Sequence, residues 1–356
     1  MFVALRDIRF AKGRFALMGV VVTLITTLVV FLYGLTGGLG RDASSAVDEL
    51  PVTDIVFGAP AGAAAEVSFS SSTISAAQAA AWAGTPGVGS AEPLGVAMTR
   101  AAGATAAGSV SLFGGAADLL PPLLSGSAPR DGQVAVSRSV ADTYGVGPGG
   151  TLGLGTEKVT VSGITATRSY GHAATVWTTL ATWQRISGQR QPTVLAVRRS
   201  GADLGAADAA RGTRTVARGD ALVGIDGYQA EHLSLQMIQV FLFAVSALVT
   251  GAFFTVWTVQ RKPDVAVLKA IGASSGYLVR DALAQALAVL GGGALLGGAI
   301  GAGGGAVAAS AVPFAVGPAT VAVPVAVMVL LGLAGSALAI ARITSVDPLT
   351  ALGANR

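Results

Sequence analysis

Apolar residues along the chain gather into four long runs, and the stretches between them have a different texture. The first run, residues 15–38, follows Arg6, Arg9, Lys12 and Arg14. It has the roughly 20 residues that a helix needs to cross the hydrocarbon core. It also exceeds a typical signal-peptide core, and no small-residue cleavage site follows promptly, so the pattern predicts an uncleaved span. Apolar character returns at 233–259, ending abruptly on Gln260-Arg261-Lys262-Pro263, then at 282–311, which is rich in Gly and Ala, and at 319–341.

Residues 39–232 read differently. Ser, Thr, Asp and Gly dominate, with short β-branched stretches at Thr53-Asp54-Ile55-Val56-Phe57 and Lys158-Val159-Thr160-Val161. Alternation punctuated by Gly147-Pro148-Gly149-Gly150 predicts strands joined by turns. Ser75 to Ala83 and Ser137 to Tyr144 predict helices. The expected fold is therefore a membrane α-helical protein of four transmembrane helices, with an α+β extracellular domain inserted after the first.

Charge fixes the expected orientation. The segment 1–14, the loop 260–281 and the tail 342–356 hold the short-loop basic residues, so the positive-inside bias puts them in the cytoplasm. The 39–232 domain and the uncharged turn 312–318 then lie outside. Small residues at Gly291, Gly292, Gly293, Gly297, Gly298, Gly301, Gly303, Gly304 and Gly305 let the third span approach its neighbours closely.

Composition narrows the function. Of the 356 residues, 52% are hydrophobic and only 12% charged, against about 25% charged in soluble domains. Lipid is thus part of the solvent. Cysteine is absent and His172 and His232 are the only histidines. Thiolate metal sites are excluded, and classical zinc sites and Ser-His triads have little raw material. The net charge of +4 is scattered without aromatic interleaving, which argues against nucleic acid. No G-x-x-x-x-G-K-[ST] sequence occurs, so the sequence offers no phosphate loop for ATP.

One span, a large external domain and three carboxyl-terminal spans together resemble the FtsX-like or MacB-like (type VII) permeases of ABC transporters. The residues that carry this are Gln260 through Ser274 and Asp347-Pro348-Leu349-Thr350-Ala351-Leu352. The resemblance implies a coupling helix after the second span, a homodimer, and a pair of separate ATPase subunits that hold ATP and Mg. Asp264 follows Pro263 at a helix start, where an acidic group complements the macrodipole. Val265, Leu268 and Ile271 form one stripe at i, i+3, i+6, and Gly272 is placed to stop the helix. An interfacial helix lying on lipid is the other reading of this stripe.

Arg6-Asp7-Ile8-Arg9-Phe10 through Gly34-Leu35-Thr36-Gly37-Gly38-Leu39, then Ser44 to Asp54, Ser169-Tyr170-Gly171-His172 and Gly227-Tyr228, are similar to the haem-regulated efflux permeases of Gram-positive bacteria. That resemblance implies haem as transported ligand, captured by Glu49, Tyr170 and Tyr228 at the external mouth between two protomers. Oxygen donors suit ferric iron and a transient site. Arg41 and Arg168 are candidates for the propionates, and His172 and His232 are alternative ligands. Each has a plainer reading: Glu49 as a solvated stalk residue, Tyr228 as an interfacial anchor, Tyr170 as a packed core tyrosine. Met237 reads as packing rather than an axial ligand. The rival functions are mechanical or signalling permeases that handle peptide antibiotics, lipids, lipoproteins or cell-wall hydrolases.

The absence of cysteine makes the topology directly testable. Glu49→Cys should react with an impermeant maleimide on intact cells, and Arg261→Cys only after permeabilisation. Labelling of both from the same side would overturn the arrangement.

Overall fold

The computed structural model describes residues 12–60, 62–201, 204–260, 267 and 271–344. Residues 1–11, Asp264, Val265, Leu268 and the tail from 345 onward, all expected above to be cytoplasmic, lie outside the described residues. The chain divides into a helical unit, Met1–Gly38 with Ser234–Arg356, and an inserted unit, Leu39–Leu233.

Helix α1 (Lys12–Asp48) runs ten residues past the apolar run that announced it. Hydrophobicity marks where lipid ends. A helix stops only where backbone or capping requires it. Nothing in Leu39 to Asp48 breaks a helix, and its last turns bury Ala43, Ala46 and Val47.

The inserted unit is built from β1 (Asp54–Phe57), α2 (Ala76–Ala83), β2 (Val88–Ala102), β3 (Ala107–Gly114), β4 (Leu123–Gly126), β5 (Gln133–Ser137), α3 (Arg138–Tyr144), β6 (Thr151–Leu154), β7 (Glu157–Thr165), β8 (Ser169–Tyr170), β9 (Ala173–Thr178), α4 (Leu180–Ser187), β10 (Val194–Arg199), α5 (Leu204–Arg211) and β11 (Arg214–Ala217). Both helices expected from the sequence are present. Ser75 caps α2 through a capping box: its hydroxyl accepts from the Gln78 amide, and the Gln78 side chain accepts from Ser75 N–H.

Strand pairing explains the two halves of this unit. The path β11-β1-β10-β2 forms one sheet with antiparallel partners. Its two faces are both covered: Val56, Leu195 and Val197 pack with Trp82 of α2 and Ala207 of α5, while Ile55, Phe57, Val194 and Ala196 join the larger core containing Phe69, Phe113 and Trp177. The second half is closed. β2-β3-β9-β5-β7 returns to β2 because β6 pairs with both β7 and β2. The ring is filled by Val110, Leu112, Val134, Val136, Leu152, Leu154, Val161, Val176 and Trp183. Strand β2 belongs to both halves, pairing with β10 over Val88 to Leu94 and with β3 over Gly95 to Ala102.

The helical unit adds α6 (Tyr228–Gln260), α7 (Ser275–Ala308) and α8 (Pro318–Thr344) to α1. Among the described residues, these four helices are long and apolar enough to cross a membrane. Helix α7 begins seven residues before the apolar run expected at 282, with Ser274 as N-cap accepting from the Tyr277 amide, so Arg280 and Asp281 are helical. The small residues of α7 are used within the chain. Gly293, Gly297 and Gly301 lie at i, i+4, i+8 against α1, and a Cβ at Gly297 would come within 2.4 Å of the Thr23 carbonyl oxygen. That approach lets Thr23 and Thr27 hydroxyls donate to the Gly293 and Gly297 carbonyls at 3.2 and 3.1 Å.

Gly297→Ala should therefore destabilise the full-length chain by about 1–3 kcal/mol, since overpacking against backbone has no flexible side chain to yield. Gly303, whose added Cβ meets nothing within 4 Å, is the control. Gly303→Ala should be neutral or stabilise by up to about 1 kcal/mol. Thermal unfolding in detergent distinguishes the two.

Candidate functional site

Three pieces of the inserted unit supply the candidate residues: the end of α1, the start of α6, and the turn joining β8 to β9. The turn has two central residues, Gly171 at φ +55 and His172 at φ +60, between the paired Tyr170 and Ala173. This is the left-handed geometry that suits the twist of a two-residue hairpin, and glycine adopts it without steric cost. The hairpin is fixed to α1 by backbone bonds. Gly171 N–H donates to the Ala43 carbonyl at 2.9 Å, and Ser169 N–H donates to Ser45 Oγ at 2.9 Å.

That seating projects His172 between two carboxylates. Nδ1 is 3.3 Å from Asp42 Oδ2 of α1, and Nε2 is 2.9 Å from Glu231 Oε2 of α6. Burial opposes the charged ring, but hydrogen bonds to Glu231 and Asp42 and the charges on both outweigh it. The pKa of His172 is held above its ordinary 6.5. With both ring nitrogens engaged, His172 works as a strap between two helices. Neither Asp42 nor Glu231 was singled out in the sequence. Of the two, only Glu231 was signalled by spacing: it lies three residues after Tyr228, on the same face of α6.

Glu49 and Arg168 form an ion pair at 2.5 Å, with side chains 45% and 19% exposed. Arg168 also donates to the Thr167 carbonyl at 2.9 Å. Arg41 is exposed. Tyr228 is half-buried, its ring stacked on His232 with centroids 5.4 Å apart and planes at 11°, and its hydroxyl lies in hydrogen-bonding reach of Ser44. Tyr170 stands apart from these. It is 9% exposed and edge-on to Phe69 and Phe113, each at 5.6 Å. Burial, and then the nearby Asp226 charge, push its pKa well above the ordinary tyrosine value. The phenolate that binds ferric iron is disfavoured there. The sequence groups Glu49, Tyr170 and Tyr228 together; in the structure Tyr170 belongs to the aromatic core, with Tyr228 packed partly against the same cluster.

Among the described residues, no three His, Asp or Glu side chains converge to hold a bare metal ion. Of the expected coupling stripe, Ile271 is 79% exposed and donates from its amide to the Val267 carbonyl, itself on a residue 55% exposed. Gly272 follows at φ +100, a position suited to ending a helix.

The His172 strap has a pH signature. Its pKa is raised on folding, so its stabilisation is complete below the unfolded value of about 6.5 and is lost as pH rises through the higher folded value. His172→Asn keeps a residue that tolerates the left-handed conformation. The difference in melting temperature between wild type and this variant should be largest near about pH 6 and shrink by about pH 8. A constant difference would remove the charged strap.

Comparison with known proteins places the chain. Residues 15–214 match the MacB-like periplasmic core domain, and residues 237–348 the FtsX-like permease C-terminal region. An uncharacterized ABC transporter permease of Mycobacterium tuberculosis is 28% identical, covering 99% of both chains. A putative hemin transport system permease protein, HrtB, of Staphylococcus haemolyticus is 23% identical, again covering 99% of both. The solved extracellular domain of the ABC-type transporter YknZ from Gram-positive bacteria aligns at TM-score 0.37 with 13% identity, over 46% of this chain and 98% of that one. The match to the MacB-like domain spans more than half the sequence, and four apolar helices accompany it. The chain thus belongs to the FtsX-like and MacB-like permeases of ABC transporters, multi-pass membrane proteins with a large extracellular domain.

Proposed function

We propose that this permease expels haem from the membrane, acting as a homodimer driven by a separate pair of ATPase subunits. Support comes from the full-length similarity to a putative hemin permease, taken together with the donors at the outer ends of α1 and α6. The observation that carries the reading is the Glu49–Arg168 pair, short but with Glu49 facing solvent. An exposed ion pair contributes only about 0–1 kcal/mol, so it exchanges partners at little cost.

The chemistry follows from that exchange. A haem propionate offers Arg168 the same carboxylate that Glu49 does, and the guanidinium fork accepts it. Glu49 is then released as a hard oxygen donor for ferric iron, and Tyr228 supplies a phenol oxygen from the start of α6. His232 extends a flat surface beside Tyr228. In this reading Tyr170 supports the hairpin that carries Arg168 and His172 and does not ligate iron. ATP binding closes the partner subunits, the loop from Asp264 to Gly272 receives the motion, and the continuous helices α1 and α6 carry it outward. Narrowing at Glu49 and Tyr228 of the two protomers ejects the ligand.

A second reading, a mechanotransmitting permease without haem, draws on the burial of Tyr170 and on the His172 strap, which make the helix ends and hairpin a stiff unit. Hemin titration separates them. The purified permease should shift the Soret band, and Glu49→Ala combined with Tyr228→Phe should weaken binding at least about tenfold, equivalent to about 1.4 kcal/mol. Tyr170→Phe should leave the shift in place. No shift with the wild-type protein favours the mechanical reading, as does normal growth on hemin of cells lacking the permease.

A further inference from the structure

Strand β2 changes partners midway, and the change leaves a gap in its hydrogen-bond ladder. On the side facing away from β3, the Leu94 carbonyl accepts from Thr193 N–H at 3.0 Å. Val96 is completed by a side chain: its amide donates to Thr193 Oγ1 at 2.9 Å, and the Thr193 hydroxyl in turn points to the Val96 carbonyl at 3.2 Å. At Arg100 the carbonyl accepts from Gly155 N–H at 2.8 Å, and β6 takes over at Ala101 and Ala102. Alternate residues of a strand direct their backbone groups to the same side. Met98 lies between Val96 and Arg100, so its amide and carbonyl face that side too, and among the described residues neither has a partner there.

The gap opens into a cavity of about 740 Å³ lined by Val96 to Thr99, by residues of the Phe69–Thr73 turn, and by residues between Ile186 and Gln191. Tyr170 and Asp226 complete its wall. The cavity holds one cation, Arg190, and one anion, Asp226, and the two do not pair with each other. Asp226 accepts from Ser70 Oγ through Oδ1 at 2.9 Å, which leaves Oδ2 for a further contact. The Met98 side chain is 52% exposed, and its sulfur accepts from Ser111 Oγ at 3.2 Å.

We propose that this gap is a binding site for an extended peptide segment, which adds to β2 through both backbone groups of Met98 and sets an acidic group toward Arg190 and a basic group toward Asp226. A free amide and carbonyl on one residue demand the complementary pair from one residue of an extended chain, which is how strand addition is read. A flat apolar ligand would leave both groups unpaired on losing water, and that is unfavourable. Flanking closure by Thr193 and Gly155 restricts the addition to a short stretch and fixes its register. The site is independent of the haem reading, since the cavity shares with it only the buried Tyr170.

A library of displayed random heptapeptides, selected on the full-length protein in detergent, is the probe. Enriched sequences should carry both an acidic and a basic residue and bind wild-type protein. Proline is tolerated at strand positions whose amide is unpaired. Met98→Pro should thus leave melting unchanged while weakening these peptides about fivefold through one lost bond. Arg190→Glu should reverse the selected charge on that side. Should Met98→Pro fail to fold, N-methylation of the peptide's central amide on wild-type protein reads the same bond and should weaken binding equally. Failure to enrich any sequence, or enriched peptides indifferent to N-methylation and to Arg190→Glu, would overturn the proposal.

Discussion

Every backbone amide and carbonyl removed from water must find a partner, and the two units of this chain answer that demand in different ways. In the helical unit each long helix pairs its own backbone, the solution lipid permits for single segments, and Ala315 N–H in the turn before α8 donates to the Gly34 carbonyl. Side chains add bonds between helices where backbones come close, as where Thr23 and Thr27 reach the carbonyls of α7. In the inserted unit the partners are far apart in sequence, and β6 closes the ring by pairing with both β2 and β7. Met98 is where that closure is incomplete, at the junction of the two halves.

The candidate haem residues lie where hydrogen bonding changes from rigid to exchangeable. Gly171 to Ala43 and Ser169 to Ser45 are buried or backbone bonds that hold the hairpin on α1. Glu49 to Arg168 and His172 to its two carboxylates are partly exposed charge pairs that water, protons or an incoming carboxylate can replace. A transport site needs both. Fixed bonds set the donors in place, and weak pairs let a ligand enter and leave without unfolding anything.

The His172 strap also couples position to motion. It joins α1 to α6 through one imidazole, so a change in the spacing of those helix ends must stretch or break at least one contact. This is consistent with a permease whose work is mechanical. The chain needs no polar path across the membrane if its helices act on a ligand at their outer ends.

The sequence alone determined what depends on local composition. Span count follows from four apolar runs, α2 from the Ala-rich segment beginning at Ser75, and β1 from the Asp54 to Phe57 stretch. Helix ends were less legible: α1 and α7 continue beyond their greasy cores because helices end by capping and not by hydropathy. Long-range pairing was decided only by the tertiary structure. Ser45 meets Ser169 across 124 residues, Asp42 meets His172 across 130, and Tyr170, one residue from an exposed turn, packs inside an aromatic core. Neighbouring residues in a strand face opposite sides, so the pairing register, which no local pattern encodes, decides which of them reaches a ligand and which supports the core.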